Sequence, residues 1–196
     1  MSSSLILSVL DQLFFTARTP NTWDATPVAE DTLRTLWDLV KMAPTSANCA
    51  PARFVFVMTP EGKKRLRPTL AEGNIEKTMQ APVTALIAYD TLFYDHLPKL
   101  FPHTDARSWF AGNKTLADET AFRNSSLQGA YLVIAARALG LDCGPMSGFD
   151  TEKVNAEFFP DGRYKINFMC NLGYGILEGL YPRSPRFDFD EACHLV

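Results

Sequence analysis

Between residues 115 and 139 the chain runs without a proline, and its second half, Leu127 to Leu139, carries apolar side chains on nearly every face. This predicts one helix about 37 Å long at 1.5 Å per residue, with Gly140 as its C′ stop. A helix without a polar side has to be covered on several sides. A chain of 196 residues has little left over to provide that cover. Burial against a second copy supplies it, and the alternative is the core helix of a monomer.

The segments around this helix are readable by their periods. Leu5, Val9, Leu10, Leu13 and Phe14 recur at helical spacing, which predicts a first helix over 4–17, ended by Arg18-Thr19-Pro20-Asn21. Residues 30–42 repeat the pattern with Leu33, Leu36, Trp37 and Val40, and Glu30 and Asp31 suit the first turn. Phe54–Met58 reads as a strand, 60–70 and 74–80 as short helices, and Val83–Tyr89 as a strand buried on both faces. Residues 91–113 are irregular and aromatic, and long loops of that kind are usually functional. Cys143–Phe149 reads as a turn, Asp150 as the cap of a helix to Phe159, and Tyr164–Tyr174 as a strand. From Ile176 the tail reads as an extended arm with a final turn. The order of elements predicts a single α/β layered domain over 1–196, with few strands and the long helix at its centre. The arm 176–196 is expected to extend onto a partner subunit.

Composition narrows the function. With 46% apolar and 21% charged residues, and a net charge of −3, the chain is an ordinary globular protein without a basic block, so nucleic acid is not an expected partner. Cys49, Cys143, Cys170 and Cys193 lie far apart and form no Cys-x-x-Cys pair, which argues against zinc and dithiol chemistry. MSSSLILSVLDQLFF lacks a basic n-region, and no apolar run reaches about 18 residues. A cytoplasmic protein that does not cross a membrane is expected. No Gly-x-Gly-x-x-Gly follows a strand, no Walker loop or Gly-x-Ser-x-Gly elbow is present, and His96, His103 and His194 lack metal-ligand spacing.

What remains is a scattered set. The loop Pro44-Thr45-Ser46-Ala47-Asn48-Cys49-Ala50-Pro51 has two prolines to stiffen it, and Ser46 and Asn48 to bond the edge of a flat ligand; an ordinary helix stop is the plainer reading. Asn74 and Lys77 are three apart and share one helical face. Pro145-Met146-Ser147-Gly148 is a tight turn whose glycine lets backbone come close. Arg18, Arg183 and Arg186 stand near the chain ends. Together these residues match the needs of flavin mononucleotide. Arginine suits its phosphate, a lysine and an amide suit the pyrimidine edge, and a backbone N–H suits N5. The cofactor carries the chemistry and the protein positions it.

The chain resembles the flavin-dependent nitroreductases in Arg18, Pro44-Thr45-Ser46-Ala47-Asn48 with Pro51, Asn74-x-x-Lys77, Gly144-Pro145-x-x-Gly148-Phe149, and Arg183 with Arg186. The resemblance implies an α+β three-layer sandwich with a central mixed sheet between helices, and an intertwined homodimer with the long helix as its seam and FMN at the interface. Arg18, Arg183 and Arg186 would hold phosphate, and Asn74 and Lys77 would meet the pyrimidine edge. Pro145, Met146, Ser147 and Gly148 would pass near N5, with Ser46 and Asn48 coming from the partner chain. It also implies ping-pong hydride transfer from NADH or NADPH through N5 to a small acceptor. Departures are Ala50 and Ala52 where the family has glutamine and tryptophan, Thr19-Pro20-Asn21 where it has a second basic residue, and Ser147 in place of an acid. Within the family, TSANCAPARFVF, LFPHTDARSWF, ETAFRNSS and GPMSGFD resemble the malonic semialdehyde reductases of pyrimidine degradation. That closer likeness implies reduction of 3-oxopropanoate to 3-hydroxypropanoate, with Arg107 as the candidate for the substrate's carboxylate; a surface pair with Asp105 is the plainer reading. A broad nitro or quinone reductase, and a flavin-binding module without turnover, are the alternatives.

Overall fold

The computed structural model describes residues 6–196. In chain order the elements are α1 (Leu7–Leu10), β1 (Thr22–Trp23), α2 (Glu30–Val40), β2 (Ala52–Val57), α3 (Pro60–Leu66), α4 (Glu72–Gln80), β3 (Val83–Asp90), α5 (Leu97–Leu100), α6 (Ser108–Ala111), α7 (Lys114–Ala138), β4 (Asp142–Met146), α8 (Thr151–Phe158), β5 (Tyr164–Gly173), β6 (Gly175–Ile176) and α9 (Phe189–Ala192). Local chemistry fixes the helix ends. Thr59, Asn113 and Asp150 cap α3, α7 and α8 by accepting from Gly62 N, Leu116 N and Lys153 N at 3.0, 3.1 and 3.0 Å. Beyond α7, Gly140 adopts φ +80°. Its N–H bonds Arg137 O at 3.0 Å and the Leu141 N–H bonds Ala136 O at 2.9 Å. This Schellman arrangement makes Gly140 the stop that the sequence predicts.

Four strands form the main sheet in the order β2-β3-β5-β4, and each neighbouring pair is antiparallel. Alternation along β3 divides the core. Val83, Ala85 and Ile87 pack with Leu36, Val40, Leu132 and Ala136 of α2 and α7. Leu86 and Ala88 pack with Leu66 and Val154 of α3 and α8. The expected three layers are present, and β3 is buried on both faces. The mixed sheet is a correction. Among the described residues all pairings are antiparallel, because β3 and β4 run the same way, α7 crosses between them, and β5 fills the gap left between them.

Other differences have local causes. The first helix is short: α1 gives way to a π-turn over Asp11–Phe15, and Leu5 lies outside the described residues. The expected turn at 143–149 is partly strand, since Pro145 sits on the edge strand β4, where a missing N–H costs no ladder bond. Residues 91–113 are not structureless. They fold into a one-turn 3-10 helix (Phe93–His96), α5 and α6. Phe93, Leu97 and Phe110 form a third apolar cluster there with Cys49, Ala117 and Ala121. The tail adds two strand residues, β6, which pair with β1. Residues 181–196 are all exposed.

The long helix keeps a bare face. Gln128, Leu132, Ala135 and Ala136 are buried against the sheet, whereas Phe122, Leu127, Tyr131 and Ile134 are 52%, 47%, 39% and 37% exposed. Gly129 allows the close side: a Cβ there would stand 2.4 Å from Phe168 Cζ.

Candidate functional site

The structure sorts the predicted residues into separate groups. α4 and the segment after β4 form one wall. Asn74 Nδ2 donates to Gly148 O at 2.8 Å, and Ala71 N donates to the same oxygen at 3.1 Å. Lys77 lies on the same helix, half-buried, and Thr78 Oγ1 donates to Met146 Sδ at 3.5 Å. Pro145 and Ser147 are exposed, and Met146 and Gly148 are half-buried. A Cβ at Gly148 would lie 2.4 Å from Asn74 Nδ2, so a side chain there would displace the Asn74 amide from this contact. Trp23 packs beside Gly144, with Cζ2 at 3.3 Å from the position of a Cβ there. Its indole Nε1 is buried and has no acceptor among the described residues.

The loop with Ser46 and Asn48 lies elsewhere, on α7. Ser46 N donates to Asn124 Oδ1 and Ala52 N to Gln128 Oε1, each at 2.9 Å, from amides buried in that helix. Ala47, Asn48 and Ala50 adopt φ of 49°, 49° and 37°, left-handed backbone that alanine seldom takes. The two prolines therefore act together with a strained, externally anchored turn. Asn48 Nδ2 donates to Leu100 O at 2.8 Å, tying the loop to α5. Cys49 is buried, and burial pushes its thiol up to about 11, so it packs rather than reacts.

Two of the arginines bond backbone carbonyls of each other's segments. Arg18 Nη2 donates to Tyr181 O at 2.6 Å, and Arg183 Nη2 donates to Phe15 O and Ala17 O at 2.8 and 2.7 Å. The start of the tail is thereby clasped to the segment after α1. Arg186 stands apart and, among the described residues, bonds Ser184 O and Pro185 O beside it. Arg107 pairs with Asp95, Nε to Oδ1 at 3.2 Å, and lies over the Tyr94 ring. Asp105, the partner considered from sequence, accepts instead from Ser108 N.

Sequence reasoning missed the groups that hold these walls. Asn124 and Gln128 are one: two amides four apart share the buried face of α7 and mark a loop anchor. Asp90 is another. It is fully buried and receives Arg53 Nη2 at 3.0 Å, Arg163 Nε at 3.0 Å and Leu92 N at 2.9 Å, with His96 Nε2 at 3.3 Å. Burial raises its pKa, but the Arg163 and Leu92 hydrogen bonds and the Arg53 and Arg163 charges outweigh this and hold the carboxyl below its usual range. Arg53 also bonds Ala50 O and Ala52 O at 3.0 and 2.9 Å, so the same node braces the Ser46 loop. The described residues contain no cluster of metal-ligating side chains, and no helix among them is long and apolar enough to cross a membrane.

Comparison with known proteins identifies the class. Residues 17–174 match the model of the nitroreductase family, and the chain belongs to that family. It is 60% identical, over 100% of both chains, to a protein of Polynucleobacter asymbioticus named as a candidate NADH dehydrogenase/NAD(P)H nitroreductase. A candidate nitroreductase of Bacillus subtilis superposes with a TM-score of 0.86 at 20% identity, covering 97% of this chain and 100% of its own. One from Exiguobacterium sibiricum, crystallised in complex with FMN, superposes with a TM-score of 0.85 at 18% identity, covering 100% and 99%. These structural likenesses establish the nitroreductase fold.

Proposed function

We propose that this chain is an FMN-dependent NAD(P)H oxidoreductase, working as a cytoplasmic homodimer, whose acceptor is 3-oxopropanoate. The observation that carries the flavin reading is the Asn74–Gly148 contact at 2.8 Å, which joins the two predicted ring-binding elements in one wall. Two features of that wall suit the group. The missing side chain at Gly148 lets the Asn74 amide close onto the backbone there, and the buried Trp23 N–H, beside Gly144, lacks an acceptor among the described residues. A bound flavin supplies hydride acceptance and donation. The chain supplies the rest. Asn74 and Lys77 orient the pyrimidine edge, the 145–148 segment brings backbone to the ring, and Arg18, Arg183 and Arg186 take the phosphate. The names of the relatives support NADH or NADPH as reductant.

The second copy is part of the reading. Ser46 and Asn48 sit on α7, apart from Asn74, and α7 carries the bare stripe Phe122, Leu127, Tyr131 and Ile134. Pairing along that stripe would hide apolar surface and deliver the partner loop to the ring. The arm 176–196 carries Tyr181, Phe187 and Phe189, at 87%, 80% and 59% exposed. A cleft of about 680 Å³ between α2 and β2, lined by apolar Leu33, Trp37, Phe56 and Met58 and by charged Glu30, Arg34 and Asp38, offers such side chains from a second copy an apolar patch beside charges.

Arg107 is the proposed partner for the substrate carboxylate, exchanging Asp95 for it. A broad nitro or quinone reductase is the rival reading, favoured by the relatives' names and by Trp109, which is 49% exposed on the aromatic segment. The test is direct. Purified protein is expected to absorb in the flavin bands and to be bleached anaerobically by NAD(P)H, with kcat/KM for 3-oxopropanoate above that for nitroarenes and quinones. Faster turnover of the aromatic acceptors selects the rival. Bound FMN that NAD(P)H does not bleach makes the chain a flavin module without turnover, and protein that refuses FMN sinks the flavin reading.

A further inference from the structure

Behind the α4 wall lies a buried ring of polar groups with a lysine in it. Lys63, on α3, is 9% exposed. Its Nζ donates to Thr78 O at 2.7 Å and to Thr84 Oγ1 at 2.8 Å. Thr84 Oγ1 donates to Asn171 Oδ1 at 2.8 Å, and Asn171 Nδ2 donates to Thr78 Oγ1 at 3.3 Å. Thr78 Oγ1 closes the path to the site by donating to Met146 Sδ at 3.5 Å. The ring therefore touches both elements of the wall, α4 and β4, while Lys77 and Thr78 are consecutive.

No carboxylate takes part. The strands give Thr84, Asn171 and Met146 to this pocket, none of them ionisable. Charged neighbours lie outward. Lys64, Arg65 and Arg67 are exposed, as is Glu76 on α4, and Lys77 is half-buried. Lys153 and Glu157 of α8 pair with Asp150 and Arg65. The two bonds that Lys63 donates use two N–H groups. A neutral amine has two, whereas an ammonium has a third, for which no acceptor stands in the ring. Burial alone lowers its pKa, to about 7, so either state is within reach at physiological pH.

We propose that Lys63 is a positioning residue that takes up a proton from solvent when negative charge arrives at the α4 wall, setting the site's preference for a charged ligand. This rests on the flavin reading of the site. The step is a protonation only: the amine lone pair takes one proton, and no electrons move.

Calorimetric titration of the flavin-free protein with oxidised FMN and with chemically reduced FMN, anaerobically and in two buffers of different ionisation enthalpy, counts protons taken up on binding. At pH 7.5 reduced FMN is expected to bring ~0.5 proton more to the wild type than to Lys63→Met, the uptake for a pKa raised by about one unit. A purely structural role would weaken binding equally at every pH and leave the proton count unchanged, which overturns the proposal. Should Lys63→Met not fold, Thr84→Val keeps the lysine and removes one acceptor. It is expected to shift the pH of maximal uptake downward, and an unmoved maximum overturns the proposal as well. Wild type that binds neither form of FMN sinks the flavin reading instead, whereas binding with identical proton counts sinks only the role of Lys63.

Discussion

Asn74 and Gly148 are locked at 2.8 Å, amide to carbonyl, across 74 residues of chain. The contact leaves no space for a side chain at residue 148, since a Cβ would fall 2.4 Å from the Asn74 amide nitrogen. Gly148→Ala is expected to cost ~1–3 kcal/mol of stability, as overpacking does, and to weaken FMN binding about tenfold. In an Asn74→Ala background the stability penalty should largely vanish, because the clash goes with the amide. Urea unfolding of the four proteins in that cycle measures the coupling; strict additivity would mean that the contact is not the cause.

Asn124 and Gln128 are expected to hold the Ser46 loop. Replacing Asn124 by alanine strips the acceptor from Ser46 N–H, and unmade bonds of this kind cost ~1–3 kcal/mol. Hydrogen exchange should speed up at Ser46 for Asn124→Ala and at Ala52 for Gln128→Ala, each without the other. Protection that survives both changes would remove the anchors from the account.

Asp90 gives a signed pH dependence. Its folded pKa lies below the unfolded value of about 3.9. Its stabilising effect is therefore complete above about pH 4 and fades as pH drops through the lower, folded pKa. Asp90→Asn should cost ~3–5 kcal/mol near neutrality, since two arginines lose a fully buried counter-charge. Thermal melts of the two proteins should converge in acid, and a constant gap down to pH 2 would exclude this linkage.

The bare stripe on α7 makes a statement about assembly. Ile134→Asp puts a charge where the proposed second copy packs, so sedimentation should report a monomer in place of a dimer. FMN affinity should fall in parallel, because Ser46 and Asn48 would no longer be supplied in trans. A wild type that sediments as a monomer at micromolar concentration would remove the second copy from the proposed site.

Arg107→Ala separates acceptors. Loss of about tenfold in kcat/KM for 3-oxopropanoate, with a neutral quinone unaffected, is the expected pattern for a carboxylate partner. An unchanged kcat/KM for both acceptors would leave Arg107 as the partner of Asp95 alone.

The sequence carried most of the framework, for reasons visible in particular residues. The continuous apolar run of β3 and the 3.6-residue spacing in α2 are local, and so are the caps Asp150 and Gly140, so they were readable one segment at a time. Pro145 misled because proline signals a turn, and only the edge position of β4 makes it compatible with a strand. Antiparallel pairing throughout was hidden too: it depends on β5 entering between β3 and β4, which no local pattern encodes. In the site, the Asn74-x-x-Lys77 spacing was legible. The Asp90 node and the Lys63 ring were not, because their partners lie as far apart as residues 53 and 163, or 63 and 171, and meet only after folding.

The central position of β5 also dictates when the molecule can be finished. Residues 164–173 come late in the chain, yet they are the sole partner of β4 in the main sheet and fill the open edge of β3. On the ribosome, the β2–β3 pair must therefore wait with one side unsatisfied until almost the whole polypeptide has been made. Pairings so distant in sequence form slowly, and a waiting strand edge invites association with other nascent chains. A polypeptide released before Tyr164 would carry that edge permanently, which makes the last sixth of the chain the part that renders the rest safe.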